Sequence, residues 1–101
     1  TFCGHVHVPQ LYNMAAMNPA VPFRPQSAIA VPLSPSRRWL AVLGAVGQPR
    51  DHIPTAAYAI YDDERRTVSF CRAPYDIERA SQKIKNAGLP AILSARLFIG
   101  R

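Results

Sequence analysis

Residues 56–72, AAYAIYDDERRTVSFCR, carry the pattern that decides the fold. Two stretches rich in aromatic and β-branched residues, 56–61 and 67–72, lie on either side of a polar run. That run is Asp62-Asp63-Glu64-Arg65-Arg66. Two apolar stretches joined by a short polar connection are typical of an antiparallel β-hairpin. The sequence therefore predicts a hairpin with a five-residue connection.

Two short helices are predicted after the hairpin. Asp76 stands where a helix N-cap is expected, and Gly88 stands where that helix ends. Between them apolar residues recur at helical spacing, namely Ile77, Ala80, Ile84 and Ala87. Pro90 then suits the first turn of a second helix. The apolar face of this second helix is expected to comprise Ile92, Leu93, Leu97 and Phe98.

Extended chain and loops are predicted before the hairpin. Residues 39–46 are a short apolar run that follows Arg37-Arg38 and is bounded by Gly44 and Gly47, which is typical of a buried strand leading into a loop. Residues 1–12 alternate small or apolar residues with polar ones, which indicates extended chain around a turn at Gly4. Residues 13–35 hold five prolines, each without a backbone donor. A proline-rich loop is therefore predicted there, with at most short edge strands near residues 27–31.

Strands, a hairpin and then helices together indicate the α/β class. About four short strands with two terminal helices are expected to be the closing portion of a larger layered sheet. The reason is that the strands near His5 and Trp39 would need partners on both sides. Residues 1–101 are therefore interpreted as a single partial domain. Since the chain begins with Thr1, inside a motif, it is expected to be a fragment.

The length, the hydropathy pattern and the cysteine content restrict the cellular compartments in which the protein is expected. A chain of 101 residues is about one small domain. A membrane span or a secretory leader is not expected, because there is no apolar run of about 18 residues and no signal-peptide pattern at the start. The two cysteines, Cys3 and Cys71, give no disulfide framework and are expected to be small buried apolar residues. We expect the chain to be cytoplasmic.

The charge is strongly basic but scattered. Twelve Lys and Arg against six Asp and Glu give a net charge of +6 and a pI near 10.0. Such charge attracts anions, including phosphates and nucleic acid. The basic residues occur as singles and doublets rather than as a stripe interleaved with aromatic residues. Nucleic-acid binding is thus open but has no motif to support it, and the charges are expected to be mainly solvated surface.

The motif Gly4-His5-Val6-His7 is the strongest indication of a metal-binding site in the sequence. In an extended segment residues two apart point to the same side, so both imidazoles could face one pocket. An imidazole binds a zinc-like ion at about 2.0–2.1 Å, and dinuclear hydrolases hold two ions roughly 3.5–4 Å apart. One histidine for each ion is therefore geometrically reasonable. The glycine would let the backbone turn tightly beside the site, although any surface strand can carry such a pair.

The wider sequence closely resembles the C-terminal part of bacterial calcineurin-like metallophosphoesterases. The matching blocks, in order, are GHVHVP at 4–9, RWL at 38–40, GAVGQPRD at 44–51, AYA at 57–59, PYDIE at 74–78, and AGLP at 87–90 with RL at 96–97. The resemblance implies part of a layered α/β/β/α sandwich. It also implies hydrolysis of phosphate mono- or diesters at a dinuclear metal centre.

The first block resembles the last metal-binding motif of that family, Gly-His-Thr-His, with Val6 in place of threonine. The resemblance implies that His5 ligates one divalent ion and His7 the other. Manganese, iron, zinc and nickel remain open as the metal, because histidine and carboxylate sites accept all of them. The implied reaction is attack on phosphorus by a water that the two ions activate.

Other family motifs have no match in this chain. These are Asp-x-His, the bridging aspartate of Gly-Asp-x-x-Asp, an Asn-His pair and a further histidine. Two imidazoles cannot hold two divalent ions without the bridging carboxylate, so the chain is expected to be inactive alone. The family usually has Asn-Pro-Gly-Ser where this chain has Val42-Leu43-Gly44-Ala45. Val42 and Ala45 offer no side-chain hydrogen bonds, which leaves the polar bracing of the site in question.

The loop after this turn contains a candidate substrate-binding residue, Arg50. A guanidinium offers a fork of donors that could hold a phosphate oxygen. Alternatively, Arg50 and Asp51 brace the loop through a local salt bridge, which is the interpretation we favour. His52 has no motif around it and is expected to be ordinary surface. Four aromatic residues on predicted strands are expected to belong to the core: Trp39, Tyr58, Tyr61 and Phe70.

Three hypotheses follow. In the first, the chain is the C-terminal segment of a metal-dependent phosphoesterase, with a phosphate-ester substrate in the full-length protein. In the second, it is a non-catalytic remnant that binds an anion or a partner through its positive surface. In the third, Cys3, His5 and His7 bind a single zinc ion. The identity of the substrate and the oligomeric state are open at this stage.

Overall fold

The computed structural model describes residues 1–15 and 20–101, and these residues form a mixed α/β arrangement. The described strands are β1 Phe2–His7, β2 Gln10–Met14, β3 Val21–Phe23, β4 Ala30–Pro32, β5 Arg38–Gly44, β6 Ala56–Asp62 and β7 Thr67–Ala73. They are followed by the helices α1 Ile77–Asn86 and α2 Ala91–Ala95, and by a 3₁₀ turn, Arg96–Phe98. The α/β class predicted from the sequence is confirmed.

The strands form two sheets. The first has the order β1-β5-β2-β3, in which β1 runs parallel to β5 and the other pairs are antiparallel. The second is antiparallel, with the order β4-β7-β6. The strand near Trp39, β5, has partners on both sides as predicted. Within residues 1–15 and 20–101, β1 pairs only with β5, so the expected second partner of the strand near His5 is not found there.

The predicted hairpin is β6 and β7. Its register runs from Ala56 opposite Ala73 to Asp62 opposite Thr67. The connection is residues 63–66, one residue shorter than predicted, because Asp62 still pairs with the partner strand. The carboxylate of Asp62 then accepts a hydrogen bond from the backbone N–H of Arg65 at 2.8 Å. This local bond stabilises the turn.

The core lies between the two sheets. Its buried side chains are Leu11 and Ala41 from the first sheet and Val68 and Phe70 from the second. Trp39 packs against this cluster and donates its indole N–H to the carbonyl of Ser34 at 3.0 Å. Fully burying a side chain such as Leu11 or Val68 contributes about 1.5–3 kcal/mol. These contacts hold the two sheets together, and they confirm the prediction that Trp39 and Phe70 belong to the core.

The prediction that Tyr58 and Tyr61 are core residues is wrong. Their side chains are 43% and 47% exposed. β6 is an edge strand whose inward positions are taken by alanines, including Ala57, so alternation turns Tyr58 outward. The ring of Tyr61 contacts Phe2 of β1 edge-to-face, with centroids 5.5 Å apart. The aromatic residues thus correctly predicted a strand, but they did not predict whether each ring is buried or exposed.

The proline-rich stretch contains more strand than predicted. β4 forms close to the expected position, whereas β3 and the end of β2 also lie within residues 13–35. Both β3 and β4 are edge strands and contain Pro22 and Pro32, as expected for residues that cannot donate to a ladder. Residues 16–19 of this stretch lie outside the described residues.

The predicted turn at Gly4 is wrong. Gly4 lies inside β1, and the chain leaves the strand only at Val8 and Pro9, before β2. Proline has no backbone donor, which suits the break between the two strands. The first strand therefore runs through Gly4 without a turn, and it includes both histidines of the motif.

Helix α1 begins and ends as predicted. The carboxylate of Asp76 accepts a hydrogen bond from the N–H of Arg79 at 2.8 Å, which satisfies a donor in the first turn. At the other end Gly88 has a φ of +68°, a conformation that glycine adopts without strain. The N–H of Gly88 donates to the carbonyl of Lys85 at 3.0 Å, and the N–H of Leu89 donates to the carbonyl of Ile84 at 3.3 Å.

The apolar face predicted for the second helix is only partly right. Leu97 is buried and Leu93 is half-buried, but Ile92 and Phe98 are exposed. The buried positions include Ser94, whose hydroxyl donates to the carbonyl of Ala91 at 3.0 Å. The helix ends after five residues and tightens into the 3₁₀ turn, which rotates the later side chains away from the expected face.

The C-terminal residues anchor the loop before β6. Gly100 has a φ of +61°, and a Cβ atom there would lie 2.7 Å from the backbone nitrogen of Ile53. The N–H of His52 donates to the carbonyl of Gly100 at 2.9 Å. In the part of the chain that the structure describes, neither helix has the length and apolar character needed to cross a membrane.

Candidate metal centre

The two histidines of the motif lie in a distorted part of β1. Cys3 pairs with Val42 and His7 pairs with Gly44, so four steps along β1 (7 − 3) match two steps along β5 (44 − 42). His5 and His7 both adopt left-handed φ values, 78° and 65°. Such values are uncommon for residues with a side chain and cluster at functional sites. The strand therefore bulges where the candidate ligands are.

This geometry corrects the predicted one. The sequence predicted a regular extended segment with the special backbone conformation at Gly4. Instead the left-handed residues are His5 and His7, and a Cβ atom at Gly4 would meet nothing within 4 Å. Residues two apart share a side only in a regular strand. The spacing therefore does not by itself bring the two rings to one face.

The ring of His7 is held in a defined orientation. Its Nδ1 lies 2.7 Å from the carbonyl oxygen of Gln48, and the residue is half-buried. Because a carbonyl oxygen can only accept, Nδ1 carries the hydrogen and donates it. In the neutral ring with this hydrogen on Nδ1, the lone pair is on Nε2. Metal-ligating histidines characteristically have this arrangement, so His7 fits the role of a metal ligand.

His5 and Cys3 are both exposed on β1. No hydrogen bond to the ring of His5 occurs among the described residues, so its ring nitrogens are open to a ligand. The prediction that Cys3 is buried is wrong, because within the described chain all of β1 before His7 is exposed. Cys71 is half-buried on β7.

The third hypothesis, one zinc ion held by Cys3, His5 and His7, is not supported. In residues 1–15 and 20–101, no three His, Cys, Asp or Glu side chains lie close enough to hold one ion. The bulge separates residues that a regular strand would align. Of the candidate ligands, His7 is the one whose ring is held by a hydrogen bond among the described residues.

The loop after β5 wraps around His7. The N–H of Arg50 donates to the carbonyl of His7 at 3.2 Å, and the side chain of Pro49, in the same loop, is fully buried. The loop can approach β6 because position 44 is glycine. A Cβ atom there would lie 2.4 Å from that of Ala57. The loop also bonds to β6 directly, through the N–H of Ala57 and the carbonyl of Ala45 at 3.0 Å.

Val42 and Ala45, where the chain departs from the family pattern, have structural roles that need no polar side chain. Val42 is a buried residue of the central strand β5, where an apolar side chain packs well. The carbonyl of Ala45 bonds to β6, so this residue acts through its backbone. Polar bracing of His7 comes from main-chain atoms of Gln48 and Arg50 rather than from side chains at 42 and 45.

The predicted salt bridge between Arg50 and Asp51 is wrong. The guanidinium of Arg50 is exposed and donates to the side-chain oxygen of Gln48 at 2.9 Å. Asp51 instead pairs with Arg72 of β7, through Nη2 on one oxygen and Nη1 on the other at 3.4 Å. His52 is exposed, as predicted. The loop is braced, but by a partner from the other sheet.

No protein-family model matches the chain. Among curated proteins, an uncharacterized protein from Methanocaldococcus jannaschii is 36% identical over 100 residues, which are 99% of this chain and 39% of that protein. Among solved structures, a metallophosphoesterase from Sphaerobacter thermophilus has 36% identity and a TM-score of 0.86, and the match covers 99% of this chain and 41% of that one.

The chain resembles part of a metallophosphoesterase. The resemblance predicted from its sequence motifs is therefore confirmed. The chain spans about two fifths of the length of each protein it matches.

The sequence motifs predicted no functional role for Arg72 or Arg24 in this metallophosphoesterase-like fold. Arg72 is a single cation at the end of an otherwise uncharged strand, and this was the one signal that could have drawn attention to it. Arg24 is exposed and lines a cavity of about 120 Å³ whose lining also includes Val8, the residue directly after His7. An adjoining cavity of about 100 Å³ shares several of its lining residues, including Arg72.

Proposed function

We propose that this chain supplies His5 and His7 as metal ligands to the dinuclear centre of a phosphoesterase that hydrolyses phosphate mono- or diesters. The observation that carries the proposal is the bond from Nδ1 of His7 to the carbonyl of Gln48, which leaves Nε2 free to bind a metal. The likeness to a metallophosphoesterase over 99% of the chain supports the same role.

The metal ions would hold the phosphoryl oxygens and activate a water for attack on phosphorus. Manganese, iron, zinc and nickel all suit imidazole ligands. In this proposal His7 binds through Nε2, and the exposed ring of His5 binds the second ion. Each ring contributes a neutral ligand, so neither offsets the charge of a divalent ion.

Further ligands, a bridging carboxylate above all, must therefore come from residues beyond those described. No three potential ligand side chains cluster in residues 1–15 and 20–101. Two divalent ions held by two neutral imidazoles alone would keep all of their charge uncompensated. We accordingly propose that the 101-residue chain is inactive alone and contributes to hydrolysis only within the full-length protein.

Arg50 is the proposed substrate contact. Its backbone N–H bonds to the carbonyl of His7, so the residue sits beside the proposed ligand. One nitrogen of its exposed guanidinium donates to the side-chain oxygen of Gln48, and the remaining N–H donors can hold a phosphate oxygen. The bond to Gln48 limits how far the side chain can move.

Alanine substitution of the histidines tests this function in the full-length protein. His5→Ala and His7→Ala should each reduce manganese-dependent hydrolysis of bis(p-nitrophenyl) phosphate by about 100-fold or more, because loss even of residues that orient a ligand costs 10–100-fold. The matched control is His52→Ala, which removes the third, exposed histidine and should keep full activity.

Unchanged hydrolysis in both His5→Ala and His7→Ala would contradict the proposal. If the unsubstituted full-length protein hydrolysed no phosphate ester with any of the four metals, the alternative would be favoured. That alternative, a non-catalytic module, predicts binding of a polyanion that weakens steeply as salt increases.

A further inference from the structure

Arg72 connects the second sheet to the loop that holds His7. It lies on β7, and both terminal nitrogens of its guanidinium contact the carboxylate of Asp51. Nη1 also donates to the carbonyl of Thr55 at 3.4 Å. One side chain thus joins β7 to the segment between β5 and β6.

This ion pair is largely removed from water. The side chain of Arg72 is 17% exposed and that of Asp51 is 7% exposed. A pair in such surroundings is screened little by salt, and its two parallel bonds fix direction as well as distance. Asp51, and the backbone that carries it, are therefore held against β7.

The loop transmits this constraint to both the backbone and the ring of His7. Asp51 directly follows Arg50, whose N–H donates to the carbonyl of His7 at 3.2 Å. Two residues before Arg50, the carbonyl of Gln48 accepts the hydrogen bond from Nδ1 of His7 at 2.7 Å. Pro49, between Gln48 and Arg50, is fully buried and has a fixed φ, which stiffens the loop.

We propose that Arg72 is a positioning residue for His7. By holding Asp51, Arg72 keeps the carbonyl of Gln48 over Nδ1 and so keeps the lone pair of Nε2 directed at the metal. The metal part of this inference rests on the proposed function. The effect on the ring of His7 is a property of the metal-free protein as well.

The test compares Arg72→Met with Arg65→Met in the full-length protein. Both variants remove one positive charge, but within the described residues the side chain of Arg65 forms only an exposed contact with Asp62 at 3.9 Å, in the hairpin connection away from the loop. The first measurement is the hydrogen position on the His7 ring, read from ¹⁵N chemical shifts of the metal-free protein at one fixed pH. The second is the affinity for Mn²⁺ alone.

Arg72→Met should shift His7 from the single form with hydrogen on Nδ1 to a mixture of both forms. It should also weaken Mn²⁺ binding about tenfold or more, the loss typical of residues that orient a ligand. Arg65→Met should change neither quantity. If Arg72→Met keeps both the Nδ1 hydrogen and the Mn²⁺ affinity, the proposal is overturned.

Arg72→Lys keeps the test decisive if Arg72→Met does not fold. A lysine retains the charge but makes a single bond to Asp51, so a smaller shift in the same direction is expected, and no shift at all overturns the proposal. Val68→Ala controls for general destabilisation, since it opens the core on the same strand without touching Asp51. It should leave the His7 signals unchanged; an equal shift in Val68→Ala would likewise overturn the proposal.

Failure of the proposed function would look different. In that case His7→Ala would leave Mn²⁺ affinity unchanged, while the ¹⁵N signals of His7 in Arg72→Met would still report whether Arg72 positions the ring. If the ¹⁵N signals of His7 shift in Arg72→Met while His7→Ala keeps its Mn²⁺ affinity, Arg72 positions the ring but His7 is not a metal ligand. If those signals do not shift while His7→Ala loses Mn²⁺ binding, His7 is a metal ligand but Arg72 does not position it.

Discussion

At the scale of single residues, the carbonyl of Gln48 orients the ring of His7, and Arg72 holds the carboxylate of Asp51. The identity of His7 as a candidate ligand came from its type and motif. Its hydrogen bond to Gln48 depends on a loop 41 residues further along the chain, which no local pattern specifies. The same holds for Asp51, because a sequence neighbour and a cation 21 residues away are equally plausible partners until the sheets pack.

Gly44 gives a prediction at this scale. Gly44→Ala should lower the free energy of unfolding by about 1–3 kcal/mol, the usual cost of inserting a methyl group into a packed site. A Cβ atom at 44 would lie 2.4 Å from that of Ala57 and 3.0 Å from Cγ of Pro9. Urea unfolding monitored by Trp39 fluorescence measures the change.

The matched control is Gly47→Ala in the loop that follows. A Cβ atom there would meet nothing within 4 Å, so we expect a change within about 0.5 kcal/mol. Equal midpoints for the two variants would show that the loop does not close on β6 as described.

At the scale of elements, those set by local patterns were predicted best. The hairpin β6–β7 and helix α1 were both expected, because alternation, a capping aspartate and a terminal glycine are all local signals. β1 was misjudged, since its bulge arises from its register with β5, a non-local contact. The short edge strand β3 was missed because prolines locally favour a loop.

The helix cap is testable by itself. Asp76→Ala should destabilise the protein by about 1 kcal/mol, because the N–H of Arg79 loses its acceptor in the first turn. The change can be read from the midpoint of thermal unfolding followed by circular dichroism.

Asp63→Ala is the control for the lost charge. Asp63 is exposed in the hairpin connection, and the described residues form no hydrogen bond with its side chain. It should shift the midpoint little. A loss in Asp63→Ala as large as in Asp76→Ala would mean that charge, rather than capping, sets the stability.

At the scale of the whole molecule, the two sheets meet over Leu11, Ala41, Val68 and Phe70, and one loop joins them next to His7. Apolar stretches predicted which strands would be buried. They did not predict which side of an edge strand faces inward, as Tyr58 shows. The candidate site likewise depends on the assembled sheets, because His7 lies on the first sheet and Arg72 on the second.

The central claim is that Nε2 of His7 binds a metal ion while Nδ1 stays on Gln48. Anomalous diffraction at the zinc edge, from crystals of the full-length protein grown with zinc, tests it most directly. We predict a zinc peak about 2.0–2.1 Å from Nε2 of His7, with the bond to Gln48 retained. Zinc bound elsewhere with Nε2 of His7 free, or zinc on Nδ1 with the Gln48 bond broken, would contradict the claim.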